Sequence, residues 1–340
     1  MNIISLRKSD FFSYLIRLTL AVTFAIAASS ALAAGYQRLE VPATSKEPAI
    51  SALLWTPCAE TAGFQQIGPI SIQGSTDCPL SGHNLPLIII SHGYGGSFLG
   101  HHDTATALAN AGFVVVSLNH LGDNTRDKSS AHRLSIFETR PLDVSRVISF
   151  MLQSWSERQK LNIQAIGVFG FSRGGYTALA LAGGIPNLHA SEERFCNDSQ
   201  PSQEHSPLCS ELKNKERLLR PVPDARVRAI VVADPLNLFD TTGLRSVRIP
   251  IQLWASEYGG DGVARAHVEA IKAALTLQPD YHLVTGAGHF VFLAPCPPAL
   301  AQSAPDICRD PKGFSREAWH RTFNDAVVSF FRHQLLPEAP

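Results

Sequence analysis

The sequence predicts one α/β domain: a mostly parallel, doubly wound sheet with helices on both faces. Two patterns carry that reading. Short apolar runs rich in Val and Ile recur along the chain, and their continuous character suits strands covered on both faces. Segments of helical spacing separate them, and strand–helix alternation of this kind defines a doubly wound architecture. Residues 34–340, about 300 in number, suit a single large domain.

Taken in order, the chain opens on a segment unlike the rest. Arg7, Lys8 and Arg17 flank a positive start, Leu18 to Ala28 is an uncharged apolar run, and Ala31-Leu32-Ala33 has the small-x-small pattern of a cleavage site. Residues 1–33 therefore read as a secretory signal peptide. The apolar run is short for a bilayer span of ~20 residues. No Cys follows the cut, and no later segment is long and apolar enough to cross a membrane. The expectation is a secreted or periplasmic protein with no stable membrane insertion after cleavage.

Strands are expected at Ile50 to Trp55, at Leu87 to Ser91 just after Pro86, and at Phe113 to Leu118. Ile163 to Phe169, Val227 to Ala233, Ile249 to Ala255 and Tyr281 to Val284 follow. Helices are expected at His101 to Ala111, Leu142 to Arg158, Gly174 to Ala182, Val263 to Leu275 and Arg316 to His333. In the second of these, Val144, Val147, Ile148, Met151, Leu152 and Trp155 form one apolar stripe. Two stretches break the rhythm. Cys58 to Leu85 is turn-rich, and a Cys-containing insertion at about 184–224 follows the Gly174 helix. Long loops are either functional or merely tolerated, so this one is a cover for a site or a plain surface excursion.

The six Cys all fall after residue 33. An even number behind a signal peptide favours disulfides. Their sequence-local grouping suggests Cys58–Cys78, Cys196–Cys209 and Cys296–Cys308. No CxxC or Cys/His ligand spacing occurs, so no metal site is expected. Basic and acidic residues balance at 29 each, which gives nothing to steer the chain to nucleic acid.

Three motifs carry chemistry. Gly170-Phe171-Ser172-Arg173-Gly174-Gly175 lies between an expected strand and a small-residue helix. That is the setting of a nucleophile elbow, where a tight turn lifts a serine hydroxyl above the sheet and leaves no room for side chains two residues away. Ser91-His92-Gly93-Tyr94-Gly95-Gly96 follows another strand. Its backbone, with that of the residue after the nucleophile, suits an oxyanion hole made by the Tyr94 and Arg173 amides. His92 reads as a buried structural residue, and so does His120. Thr285-Gly286-Ala287-Gly288-His289-Phe290 follows the last strand. A serine hydroxyl needs a base whose pKa lies near neutrality, and His289 is placed to be that base. Two aspartates stand for the acid. Asp261 lies in the loop after the Ile249 strand, and Asp234 ends the strand before it. The order Ser–acid–His admits both and favours Asp261, with Glu257 a weaker third. The Arg173 side chain reads as a partner for an anionic substrate group or as a surface ion pair.

At SHGYGG, GFSRGG, RIPIQLWASEY and GAGHFVFLAPC the chain resembles α/β hydrolases, in particular bacterial dienelactone-hydrolase-like proteins and the plasma-type platelet-activating-factor acetylhydrolases. The resemblance covers nearly all of residues 34–340, and CRDPKGF with the closing helix is its most group-specific part. It implies an α/β-hydrolase fold and acyl transfer to water without a cofactor. Dienelactone hydrolases themselves use Cys where this chain has Ser172, so their substrate is not implied. In the acetylhydrolases the acid matches Asp234, and in other relatives it matches Asp261. The implied substrate is a small-molecule or lipid-like ester. An amidase or peptidase on the same fold, and a non-catalytic binding protein, are the alternatives.

Overall fold

The structure is a computed structural model that describes residues 33–60, 63–76, 78–188, 207–213, 219–220 and 222–336. The expected leader, apart from Ala33, and Cys196 lie outside the described residues. Leu32–Pro340 forms one compact unit.

Ten strands form one sheet in the order β10-β9-β8-β7-β5-β6-β2-β1-β4-β3. These are β1 (Ala33–Val41), β2 (Ile50–Cys58), β3 (Gly63–Ile67), β4 (Ile70–Thr76), β5 (Leu85–Ser91), β6 (Val114–Leu118), β7 (Leu161–Phe171), β8 (Val227–Ala233), β9 (Ile251–Ser256) and β10 (Asp280–Val284). From β6 to β10 all neighbours are parallel. β2 pairs antiparallel with β1 and β6, and β3 with β4. The expected strands are all present, with ends moved by a few residues. β1, β3 and β4 were not anticipated. β4 lies inside the stretch read as turn-rich, and its signal is the inward Ile70 and Ile72 alternating with outward Ser71 and Gln73.

The continuous apolar runs follow from two cores, one on each face of the sheet. Leu87, Ile89, Val114, Val116, Ile230 and Val232 point into one core, while Ile88, Ile90, Val115, Ala229 and Val231 point into the other. Helices α1 (His102–Asn110), α2 (Ile136–Gln153), α3 (Arg173–Leu181), α4 (Pro207–Lys213), α5 (Arg265–Ala274), α6 (Pro298–Ser303), α7 (Pro305–Cys308) and α8 (Arg316–Leu335) follow in chain order. The apolar sides of α2, α3 and α5 close the first core; α1 and α8 close the second. α2 begins at Ile136, ahead of Pro141, rather than at Leu142. Proline cannot donate to the carbonyl four residues back. That carbonyl, on Phe137, instead accepts the Tyr176 hydroxyl at 3.1 Å, so the helix runs through.

Cys58–Cys78 and Cys296–Cys308 are disulfides, as their spacing suggested. Cys209 is disulfide-bonded too. The described part of the insertion packs against the start of α2: the Glu211 carboxylate accepts the Leu134 N–H at 2.7 Å and pairs with Arg133 at 3.0 Å. No helix among the described residues is long and apolar enough to cross a membrane.

Candidate active site

The centre of the sheet makes the site. β7 ends at Phe171, α3 begins at Arg173, and Ser172 turns the chain between them with φ 55° and ψ −116°. A non-glycine residue held there costs about 1–3 kcal/mol, so the surroundings must enforce it. They do so by contact. A Cβ on Gly170 would lie 2.1 Å from the Gly174 carbonyl oxygen, and one on Gly174 would lie 1.9 Å from that of Ser91. The Ser172 backbone is pinned as well: its N–H donates to Ala233 at 3.0 Å, and its carbonyl accepts from Leu236 at 2.9 Å.

The loop after β5 comes within contact of this turn. A Cβ on Gly93 would meet that of Ser172 at 3.3 Å. Among the described residues, neither the Tyr94 nor the Arg173 N–H donates to a backbone carbonyl, and Arg173, as the first residue of a helix, has no partner within it. A buried ionic cluster holds the loop. Asp123 accepts the Gly95 N–H at 2.8 Å, Arg140 at 2.7 Å and Arg173 at 2.9 Å. Arg140 also donates to the His92 carbonyl. The Arg173 guanidinium stacks 4.7 Å from the Tyr94 ring centroid. The Arg173 side chain does form an ion pair, but a buried one rather than one at the surface: its cation is engaged by Asp123 and by the Ala131 carbonyl at 2.7 Å, away from an anionic substrate group.

His289 begins the turn after the β10 loop and is fully buried. Its ring lies over Phe171, with centroids 4.7 Å apart, and its N–H donates to Gly259 at 2.8 Å. The contact expected of Asp261 is made by Asp234. His289 Nδ1 lies 3.0 Å from Asp234 Oδ2. Asp234 is buried and also accepts the Ser256 N–H at 2.7 Å and the Ser256 hydroxyl. Asp261 is exposed, at the tip of a turn closed by two Gly260–Val263 hydrogen bonds of 2.9 Å. Asp261 and Gly262 both have positive φ, 49° and 79°, as a type I′ turn requires. That turn keeps the Asp261 carboxylate off the histidine. Glu257 accepts the Gly286 N–H at 2.6 Å and does not reach the ring either. His289 Nε2 has no hydrogen-bond partner among the described residues, so it is not bonded to Ser172.

A second Ser–His–Asp set lies beneath the loop, and no local motif marks it as a set. Ser91 Oγ is 2.9 Å from His120 Nε2, and His120 Nδ1 is 3.1 Å from Asp143 Oδ2. All three are buried and none lines the cleft. Burial pushes the Asp143 carboxyl up to about 7. Burial, with the nearby Arg140 cation, holds His120 well below its ordinary value. His92 is held down to about 3, by burial first and then by Arg140. These histidines are neutral supports for the loop, as the sequence suggested.

Ser172 opens into a cleft of about 560 Å³. Phe290, Leu293, Leu300, Ile307, Pro69 and Ile70 are among its apolar lining. Lys128 and Asp261, the charged ammonium and carboxylate in its lining, are exposed. The described residues of the insertion are not part of it. The grouping with metal-ligand spacing among the described residues is Cys58, Glu60 and Cys78, but its two sulfurs are bonded to each other and offer no thiolate.

Residues 86–188 match the family model of the alpha/beta hydrolase fold. A ferulic acid esterase from Streptomyces cinnamoneus shares the fold with a TM-score of 0.61 at 16% identity, over 92% of this chain and 94% of that one. An esterase structure from the fungus Rhizomucor miehei gives 0.52 at 14% identity, over 89% and 84%. A search of the curated proteins finds no match. With the parallel sheet and the strained serine between β7 and α3, these findings establish that the chain has the α/β-hydrolase fold.

Proposed function

We propose that this chain is an exported serine hydrolase that cleaves carboxylic esters. The observation that carries the reading is Ser172, forced into a strained turn at the mouth of a cleft, beside a buried Asp234–His289 pair. Strain of this kind persists where the surrounding structure over-determines it, typically at active sites. The two structural relatives are esterases by name. The Cys58–Cys78 and Cys296–Cys308 disulfides agree with a secreted or periplasmic location.

The geometry supports the following roles. Asp234 takes the Nδ1 proton of His289 as a hydrogen bond, which leaves Nε2 as the basic nitrogen. Nε2 removes the Ser172 proton as Oγ bonds to the ester carbonyl carbon. Such catalytic contacts are often loose without substrate and tighten in the complex. The carbonyl oxygen takes up negative charge, and the Tyr94 and Arg173 N–H groups are the donors free to receive it. The C–O bond to the alcohol then breaks, and the alcohol leaves with the proton from Nε2. Water attacks the acyl-enzyme with the same base and the same oxyanion donors, releasing the acid and restoring the Ser172 hydroxyl. Asp234 replaces Asp261 as the acid in this scheme.

Hydrolysis of p-nitrophenyl acetate by the purified protein and by Ser172→Ala tests the reading. Turnover in the first and its loss in a folded variant is the expected result. Equal turnover in both ends the proposal.

A further inference from the structure

The cleft is walled by two excursions of the chain, and a disulfide closes each at its base. The first is the β3–β4 hairpin. Cys58 ends β2 before it and Cys78 follows it, and the two are bonded. Its tip brings Pro69 and Ile70 into the cleft, while Phe64, on the same hairpin, is exposed and outside the lining. The second runs from Cys296 to Cys308 through α6 and α7. Neither helix has a buried residue, yet Leu300 and Ile307 line the cleft.

A segment without buried side chains has little packing of its own to hold it. Among the links that hold this one are the Cys296–Cys308 bond, Leu300 packed against the second core, the Ala294 N–H donated to Gly100 at 2.9 Å, and Arg316, which is paired to Asp310 at 2.6 Å and lies 4.0 Å from Cys296 Sγ. Both walls present apolar side chains, at positions where a surface excursion would ordinarily present polar ones. The cleft that both line, about 560 Å³, is of the size that takes a whole drug-sized ligand and far exceeds what an acetyl group fills.

We propose that the ester cleaved at Ser172 carries a bulky apolar arm, an acyl chain of about eight carbons. The arm lies between Ile70 on one wall and Leu300 and Ile307 on the other, and the disulfides keep these walls at their spacing. This rests on the ester-hydrolase reading and adds the substrate class. Selection acts through binding realised in the transition state, so it appears in kcat/KM.

The test is a p-nitrophenyl acetate-to-octanoate series, read as the ratio of kcat/KM for octanoate to that for acetate. Complete burial of a methylene is worth about 0.8 kcal/mol, or about fourfold, so even partial burial makes the wild-type ratio at least about tenfold. Leu300→Asp and Ile307→Asp are expected to lower that ratio about tenfold. The double variant Cys296→Ala/Cys308→Ala, checked for folding by circular dichroism, is expected to lower it in the same direction. Phe64→Ser, on the hairpin but outside the cleft, is expected to leave it unchanged. A wild-type preference for acetate, or a ratio unmoved in Leu300→Asp and Ile307→Asp, overturns the substrate class while acetate turnover keeps the ester reading. Absence of turnover on every ester overturns both.

Discussion

Replacing Asp234 by Asn tests the assignment of the acid, and the structure sets the size of the effect. The Asp234 carboxylate receives three donors: the Ser256 N–H, the Ser256 hydroxyl and His289 Nδ1. An amide has one acceptor oxygen and one donor nitrogen. If the oxygen keeps the Ser256 N–H, the amide nitrogen faces Nδ1, which must then become an acceptor. The proton moves to Nε2, and the ring is no longer a base toward Ser172. The Ser256 hydroxyl can rotate to suit, so this arrangement costs little stability. The opposite orientation faces a buried N–H with another donor, at about 1–3 kcal/mol. The first arrangement wins, and the enzyme folds with the wrong tautomer. A wrong tautomer lowers kcat by roughly four orders of magnitude in a serine protease triad, equivalent to about 5.5 kcal/mol of barrier. Initial rates on p-nitrophenyl acetate measure it, with thermal melting as the folding control. Asp261→Asn, at an exposed turn, is expected to lower kcat by less than about tenfold, since it leaves the His289 tautomer untouched. A folded Asp234→Asn protein with nearly normal kcat, and an inactive Asp261→Asn protein, would refute the reasoning.

Three further outcomes follow. Asp123→Asn leaves the buried Arg140 and Arg173 cations without their counter-charge and the Gly95 N–H without a carboxylate. Breaking a buried pair costs about 3–5 kcal/mol, so the melting temperature should fall by roughly 10 °C; calorimetry that finds no change contradicts the cluster's role. Gly174→Ala should give little folded protein, because its Cβ would lie 1.9 Å from the Ser91 carbonyl oxygen; a soluble variant with wild-type melting argues against the elbow geometry. Asp143 is raised to about 7 by burial, while the unfolded chain ionises near ~4. In that window the folded protein keeps a proton that the unfolded chain loses, so the contribution is full below it and is lost as pH rises through it. Asp143→Asn should flatten the fall in melting temperature between about pH 4 and pH 7, and an unchanged slope contradicts the assignment.

What the sequence revealed, and what it hid, divide along physical lines. Gly170 and Ser172 are legible because a Cβ on Gly170 would meet the Gly174 carbonyl within five residues, whereas the clash that requires Gly174 is with Ser91 on a neighbouring strand and is read only through the motif. The parallel sheet is legible because strands covered on both faces are largely apolar on both, as β5, β6 and β8 are apart from Ser91, Ser117 and the exposed Arg228. The acid is a different matter, since it depends on which of two strand ends faces His289 across the fold. One signal was present and points against Asp261: Gly260-Asp261-Gly262 contains the Asp-Gly pair of a tight type I′ turn, which holds the aspartate at a tip. Asp234 ends an apolar buried strand, where a carboxylate without a partner would be costly. The start of α2 was hidden by Pro141, whose lost hydrogen bond is replaced by Tyr176 from another helix. The cleft walls were hidden as well, because the alternation in β4 is brief and lies within a turn-rich stretch, and the Cys296–Cys308 segment is held by its disulfide and distant contacts.

The central claim is that Ser172, and not the buried Ser91, is an activated nucleophile. Treatment with a fluorophosphonate, followed by peptide mapping of the adduct by mass spectrometry, tests it most directly. A single adduct on Ser172, abolished in a folded His289→Ala variant, is the predicted result. No adduct on the folded protein, or an adduct on Ser91, would contradict it.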